Sequence, residues 1–167
     1  ETIERLRRAL PDLVFRTTFI VGHPGETDAD FTELLELVRF AEFDHLGAFL
    51  YSHEEGTASG AMDDLVPARI ARTRQRRLLS LQRRISRAKL RRRVGTELEV
   101  LVDGPSEESE LLLQGRWWGQ APEVDGVVHL ANGSAEPGEL RRAAGTHAAD
   151  HDPVADPPDR DGRRHSP

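Results

Sequence analysis

The chain has 167 residues, 37% of them hydrophobic, and a formal net charge of −6 at neutral pH, enough for one medium domain or two small ones. It holds no cysteine, which excludes disulfides, thiolate nucleophiles and any cysteine-held cluster within the chain and fits a cytoplasmic protein. No apolar run approaches the roughly 20 residues needed to cross a bilayer, and no signal peptide is visible.

The chain opens on Glu1 directly in a helical pattern, as a piece of a longer protein would. Residues 2–10 place Ile3, Leu6 and Leu10 on one side of a short helix that Pro11 ends. Residues 14–21 form an apolar, β-branched run that predicts a buried strand. Val21-Gly22-His23-Pro24-Gly25-Glu26-Thr27 follows as a glycine-rich turn. Thr27, with Asp28 and Asp30 behind it, reads as a capping-box-like helix start. Phe31, Leu34, Leu35, Val38 and Ala41 then make one apolar stripe. Residues 46–51 predict the next strand, so strand, helix and strand form a parallel βαβ unit.

Residues 52–64 read as loop. A long helix follows Pro67, with an apolar seam of Leu78, Leu81, Ile85 and Ala88. At Gly95 the pattern switches to alternation, with Leu98, Val100 and Val102 facing one way. Short strands at 110–115, 126–130 and 139–142, separated by glycine, proline and asparagine turns, predict a small β-barrel. From residue 143 apolar side chains almost vanish, which predicts a disordered tail. The domains expected are therefore 1–66, a linking helix 67–93, a barrel 94–142 and a tail 143–167. The stretch 139–145 lacks alternating valine and isoleucine, so the closing strand is the least specified part of the barrel.

Charge is sharply segregated. Residues 68–93 carry twelve basic and no acidic side chains, whereas residues 94–140 carry ten acids against Arg116 alone. Arginine supplies every basic residue but Lys89, a bias of coding composition rather than of function. The basic helix reads either as a phosphate-binding surface or as a solvated helix joining two domains. Trp117 and Trp118 are adjacent, so one should fill the barrel and the other face outward. An outward tryptophan near Glu123 and Asp125 would suit a partner protein. The seven histidines show no metal-ligand spacing in ordered sequence and read as solvated. No Ser/His/Asp set has the strand–turn context of a hydrolase. The glycine turn, by spacing alone, is either an ordinary βα turn or a ligand cradle at the carboxyl end of a strand.

Longer strings are more specific. Arg16-Thr17-Thr18-Phe19-Ile20-Val21-Gly22-His23-Pro24-Gly25-Glu26-Thr27 and Tyr51-Ser52-His53-Glu54-Glu55-Gly56-Thr57 resemble two successive strand ends of radical S-adenosylmethionine enzymes, in the methylthiotransferase branch. Gly95-Thr96-Glu97-Leu98-Glu99-Val100-Leu101-Val102 resembles the opening strand of that branch's TRAM domain. Residues 115–126 are similar to members that methylthiolate an aspartate on a small-subunit ribosomal protein. His23 departs from the resemblance, standing where relatives carry an apolar residue.

The resemblance implies an α/β region followed by an all-β one: the C-terminal part of a radical S-adenosylmethionine half-barrel, then a TRAM barrel. It implies S-adenosylmethionine near Thr18, Ile20, Gly22, Pro24, Gly25 and Glu26, with Glu26 alternatively capping the next helix. It also implies 4Fe–4S clusters whose cysteine ligands lie upstream in the family, so this chain carries no catalytic or metal-binding residue and should be inactive alone. Trp117, Trp118, Glu123 and Asp125 would dock the substrate. The acidic barrel favours a basic ribosomal protein over RNA, while the arginine helix allows contact with ribosomal RNA. The alternatives are a tRNA methylthiotransferase of the same family, which would need a basic TRAM surface, and a non-catalytic module that binds a ribosomal protein.

Overall fold

The computed structural model describes residues 1–109, 111–122, 124–131, 135–148 and 153–156. They fall into two compact units, Glu1–Ser86 and Arg87–Pro167.

In the first unit, helix α1 spans Thr2–Ala9, strand β1 Arg16–Val21, helix α2 Asp28–Ala41 and strand β2 His45–Leu50. Helix α3, Ala68–Arg93, begins here and ends in the second unit. The capping box that starts α2 is formed: the Asp30 amide donates to Thr27 Oγ1 at 3.2 Å, and the Thr27 amide donates to Asp30 Oδ2 at 2.8 Å. Strands β1 and β2 pair in parallel, Thr18 beside Gly47 and Ile20 beside Phe49. Only one face of this sheet is covered. Val21 and Ala48 on that face join Phe31, Leu35, Val38 and Ala41 of α2 and Leu78 and Leu81 of α3 in one core. Burying each large side chain there stabilises by about 1.5–3 kcal/mol. The other face is open, with Ile20 59% and Phe49 64% exposed.

Of the apolar side of α1, Ile3 packs against the core, whereas Leu6 and Leu10 stay exposed. Arg7 fixes α1 instead. Its guanidinium lies over the Phe15 ring and donates to the carbonyls of Phe40, Ala41 and Glu42, the unpaired end of α2.

In the second unit, strands β3 (Glu97–Pro105), β4 (Leu112–Trp117), β5 (Val128–Ala131), β6 (Leu140–Ala148) and β7 (Pro153–Asp156) close a barrel in the order β3-β4-β5-β7-β6. Leu98, Val100, Val102, Trp117, Val128, Leu130 and Ala143 fill it.

Two expectations are corrected here. The barrel does not end at residue 142, because β6 runs on to Ala148 and β7 adds Pro153–Asp156, residues read as tail. The alternation that should have marked β6 is hidden because its inward residue opposite Leu98 is Ala143, fully buried but small. Nor do residues 67–93 stand apart as a linker. Leu78 and Leu81 belong to the core of the first unit, and the division between units falls inside the helix.

Candidate cofactor corner, docking surface and basic helix

The glycine turn is held by a buried ion pair that sequence reasoning missed. Arg74, one turn before Leu78 on the buried side of α3, reaches the turn. Its Nη1 donates to Glu26 Oε1 at 2.6 Å and to the Glu26 carbonyl at 3.0 Å, and its Nη2 donates to Asp28 Oδ1 at 2.8 Å. The second Glu26 oxygen accepts from the Gly22 amide at 2.9 Å. Burial alone would depress the Arg74 pKa, but the hydrogen bonds and charges of Asp28 and Glu26 outweigh it and raise the pKa. The available signal was position: an arginine on the stripe that holds Ala71, Leu78 and Leu81 cannot be solvated.

The turn itself divides the predicted residues. Gly22 has a left-handed φ of 78°, and a Cβ there would lie 2.5 Å from the Ala71 Cβ, so its smallness admits helix α3. Pro24 is buried. Glu26 is committed to Arg74 and Gly22. Gly25 is exposed, and its amide donates to the Asp64 carbonyl at 2.7 Å. Thr18 and Ile20 lie exposed on the uncovered sheet face. His23 ties the turn to the following loop: Nδ1 meets the Pro24 carbonyl at 2.8 Å and Nε2 the Ser59 hydroxyl at 2.9 Å.

At the barrel, Trp117 is buried and Trp118 is 65% exposed, their rings meeting edge-on at 5.1 Å. The Arg93 guanidinium lies 4.0 Å from the Trp117 ring centre. Gly119 backs onto that ring, and any side chain there would collide with it. Gln120 closes the segment, accepting from the Trp117 amide at 3.1 Å and donating to the Gly126 carbonyl. Asp125 is part of the same closure, its Oδ2 accepting from the Ala121 amide at 2.7 Å. Glu123 lies outside the described residues. Trp117 and Asp125 thus shape this corner, and Trp118 is the side chain it presents.

Acidic side chains Glu97, Glu99, Asp103, Glu107, Glu108 and Glu136 are exposed on this unit. Asp103 is bridged by Arg116 at 2.7 Å. One histidine read as solvated is not: His129 is 6% exposed, its Nδ1 is 3.3 Å from Ser106 Oγ, and its Nε2 is 3.7 Å from Glu108. Among the described residues no group of histidine, aspartate and glutamate side chains could hold a metal ion, and no helix is long and apolar enough to cross a membrane.

The first unit is thus a parallel βαβ unit with a bare sheet face, and the second a small closed barrel. A TRAM domain model matches residues 94–157, which covers the barrel through β7. Proteins named "Ribosomal protein uS12 methylthiotransferase RimO" align over nearly the whole chain. The one from Sorangium cellulosum is 54% identical over 92% of this chain and 32% of its own length. That of Koribacter versatilis is 46% identical over 93% and 32%, and that of Myxococcus xanthus 46% over 98% and 35%. The chain spans about a third of the length of the curated relatives it matches. It belongs to the RimO family, of which it is a C-terminal portion.

Proposed function

We propose that the first unit is the C-terminal part of a radical S-adenosylmethionine half-barrel, and that the second docks the protein substrate. One observation carries the reading: β1 and β2 are packed on one face and leave Thr18, Ile20 and Phe49 uncovered on the other. Apolar side chains this exposed on a sheet belong against further chain or a ligand. Relatives about three times as long supply room for both.

The fit to the cofactors differs. S-adenosylmethionine suits the open face, where Thr18 can hydrogen-bond and Ile20 can cover a flat ring, while Gly22, Pro24, Gly25 and Glu26 hold the corner's shape. An iron–sulfur cluster does not suit this chain, which has no cysteine to ligate it. The chain alone is therefore inactive, and no catalytic step runs through its own residues.

The whole enzyme, in this reading, methylthiolates the β-carbon of an aspartate of the ribosomal protein uS12 in the cytoplasm. Exposed acids on the same unit as an exposed Trp118 suit a basic partner, because complementary potential speeds encounter and sets orientation. The tRNA alternative is not favoured: the relatives are named for a ribosomal protein, and an acidic barrel repels phosphates.

The test is binding of the 167-residue chain to purified uS12, expected to weaken as salt rises. Trp118→Ala should reduce affinity by about tenfold or more, as an interface anchor does. Tighter binding of tRNA than of uS12 to the barrel would overturn the docking assignment. Turnover by the chain alone would overturn its inactivity.

A further inference from the structure

The arginines of α3 are not equivalent, and the structure sorts them. Arg74 is locked to Glu26 and Asp28, Arg77 stacks on the Phe31 ring at 5.3 Å, and Arg93 stacks on Trp117. Arg87, Lys89 and Arg92 have partners as well. Arg83, Arg84 and Arg91 are exposed. Arg69, Arg72 and Arg76 differ in sharing one groove. They are exposed and, together with Gln75, line an open groove of about 460 Å³. Among the described residues Arg76 reaches the Thr73 hydroxyl alone, at 3.4 Å. Gln75 fixes the groove against the sheet, its Nε2 donating to the Ala48 carbonyl at 2.7 Å. Among the described residues no carboxylate lines it.

We propose that this groove binds the phosphate backbone of RNA through Arg69, Arg72 and Arg76. Their spacing puts three guanidinium groups on one stripe of the helix, covering about 10 Å along its axis. A single free phosphate would engage one or two of them, whereas a strand offers phosphates to all three. Guanidinium forks suit phosphate oxygens in paired hydrogen bonds. A membrane surface is the poorer match, because no apolar side chain lines the groove to enter the lipid. The choice of RNA among polyanions rests on the proposed function, since a ribosomal-protein substrate brings the chain beside ribosomal RNA. The assignment also gives each charge pole its own partner: the acidic barrel the protein, the basic stripe the RNA around it.

The test uses the 167-residue chain and a fluorescent single-stranded RNA, followed by anisotropy across a salt series. Three phosphate contacts predict a log–log salt slope of about −2. Arg69→Gln/Arg72→Gln/Arg76→Gln should weaken binding by about tenfold or more and flatten the slope. Arg5→Gln/Arg8→Gln/Arg39→Gln removes the same charge from exposed sites elsewhere and should stay within about twofold of wild type. Circular dichroism confirms that both variants fold. The proposal is overturned by unchanged RNA binding in the groove variant, by equal loss in the control variant, or by equally tight binding to vesicles of equal parts phosphatidylglycerol and phosphatidylcholine. Binding to uS12 is measured in parallel. Loss of RNA binding in the groove variant with uS12 binding intact supports the assignment. Absence of RNA binding by the wild-type chain while uS12 binds overturns it and leaves the docking reading standing.

Discussion

Among the described residues every strand of the second unit has a neighbour on both sides, whereas in the first unit β1 and β2 pair only with each other and bury a single face. The barrel buries Leu98, Val100, Val102, Trp117, Val128, Leu130 and Ala143 among its described side chains. The βαβ unit turns half of its strand residues onto two helices and holds the rest in water. The same device nevertheless sets the critical corner of each: a glycine admits a large or crowded neighbour, and a polar side chain pins the backbone beside it. In the first unit Gly22 admits Ala71 and Glu26 pins the turn. In the second Gly119 admits the Trp117 ring and Gln120 pins the strand end. The difference lies in what the pin depends on. Glu26 needs a cation from another element, Arg74, while Gln120 is neutral and closes its own loop.

The two units should differ most when that cation is removed. Arg74→Ala should destabilise the first unit by about 3–5 kcal/mol, because it leaves Glu26 charged and largely buried without its partner. Both tryptophans lie in the second unit. Tryptophan fluorescence should therefore report an unchanged barrel transition, while circular dichroism reports an early loss of helix.

Next in size are the two glycines. Gly22→Ala and Gly119→Ala should each cost about 1–3 kcal/mol by overpacking, the first with added strain from its positive φ. Denaturant unfolding should show the two losses in different transitions, and only Gly119→Ala should shift the tryptophan emission.

Smaller still, Ile20→Ser with Phe49→Ser should cost this chain about 1 kcal/mol or less, since both side chains are already mostly exposed. The same pair in a protein of the relatives' full length should lower its melting temperature measurably.

The smallest effect is at the α2 cap. The Thr27 side chain and then its amide hydrogen-bond the Asp30 carboxylate and hold its pKa below 3.8. A carboxylate depressed in the folded state stabilises fully above its unfolded value and loses that contribution as pH falls through the folded value. The stability gap between wild type and Asp30→Asn should therefore be constant near neutrality and shrink as pH drops below 3.8.

Much of this architecture was legible because short-range rules governed it. The cap at Thr27, the stripe from Phe31 to Ala41, the parallel pairing and the opposite fates of Trp117 and Trp118 all follow from neighbours in sequence. What was not legible depends on distant partners. Arg74 was one of twelve basic residues in a run, and nothing local shows that its carboxylate sits 48 positions upstream. Gly22 reads as a ligand-facing glycine until Ala71 arrives against it. The length of strand β6 beyond residue 142 escaped notice because an inward alanine carries no hydrophobic signal, and the burial of His129 because it is set by the strands around it.

The last strand has a consequence for how the barrel behaves when it is cut short. Strand β7 is four residues long and stands between β5, which it meets in parallel, and β6, which it meets antiparallel. Without it the ring becomes an open ribbon with two bare backbone edges, each a template for another copy. A protein trimmed before residue 153 should aggregate rather than merely soften.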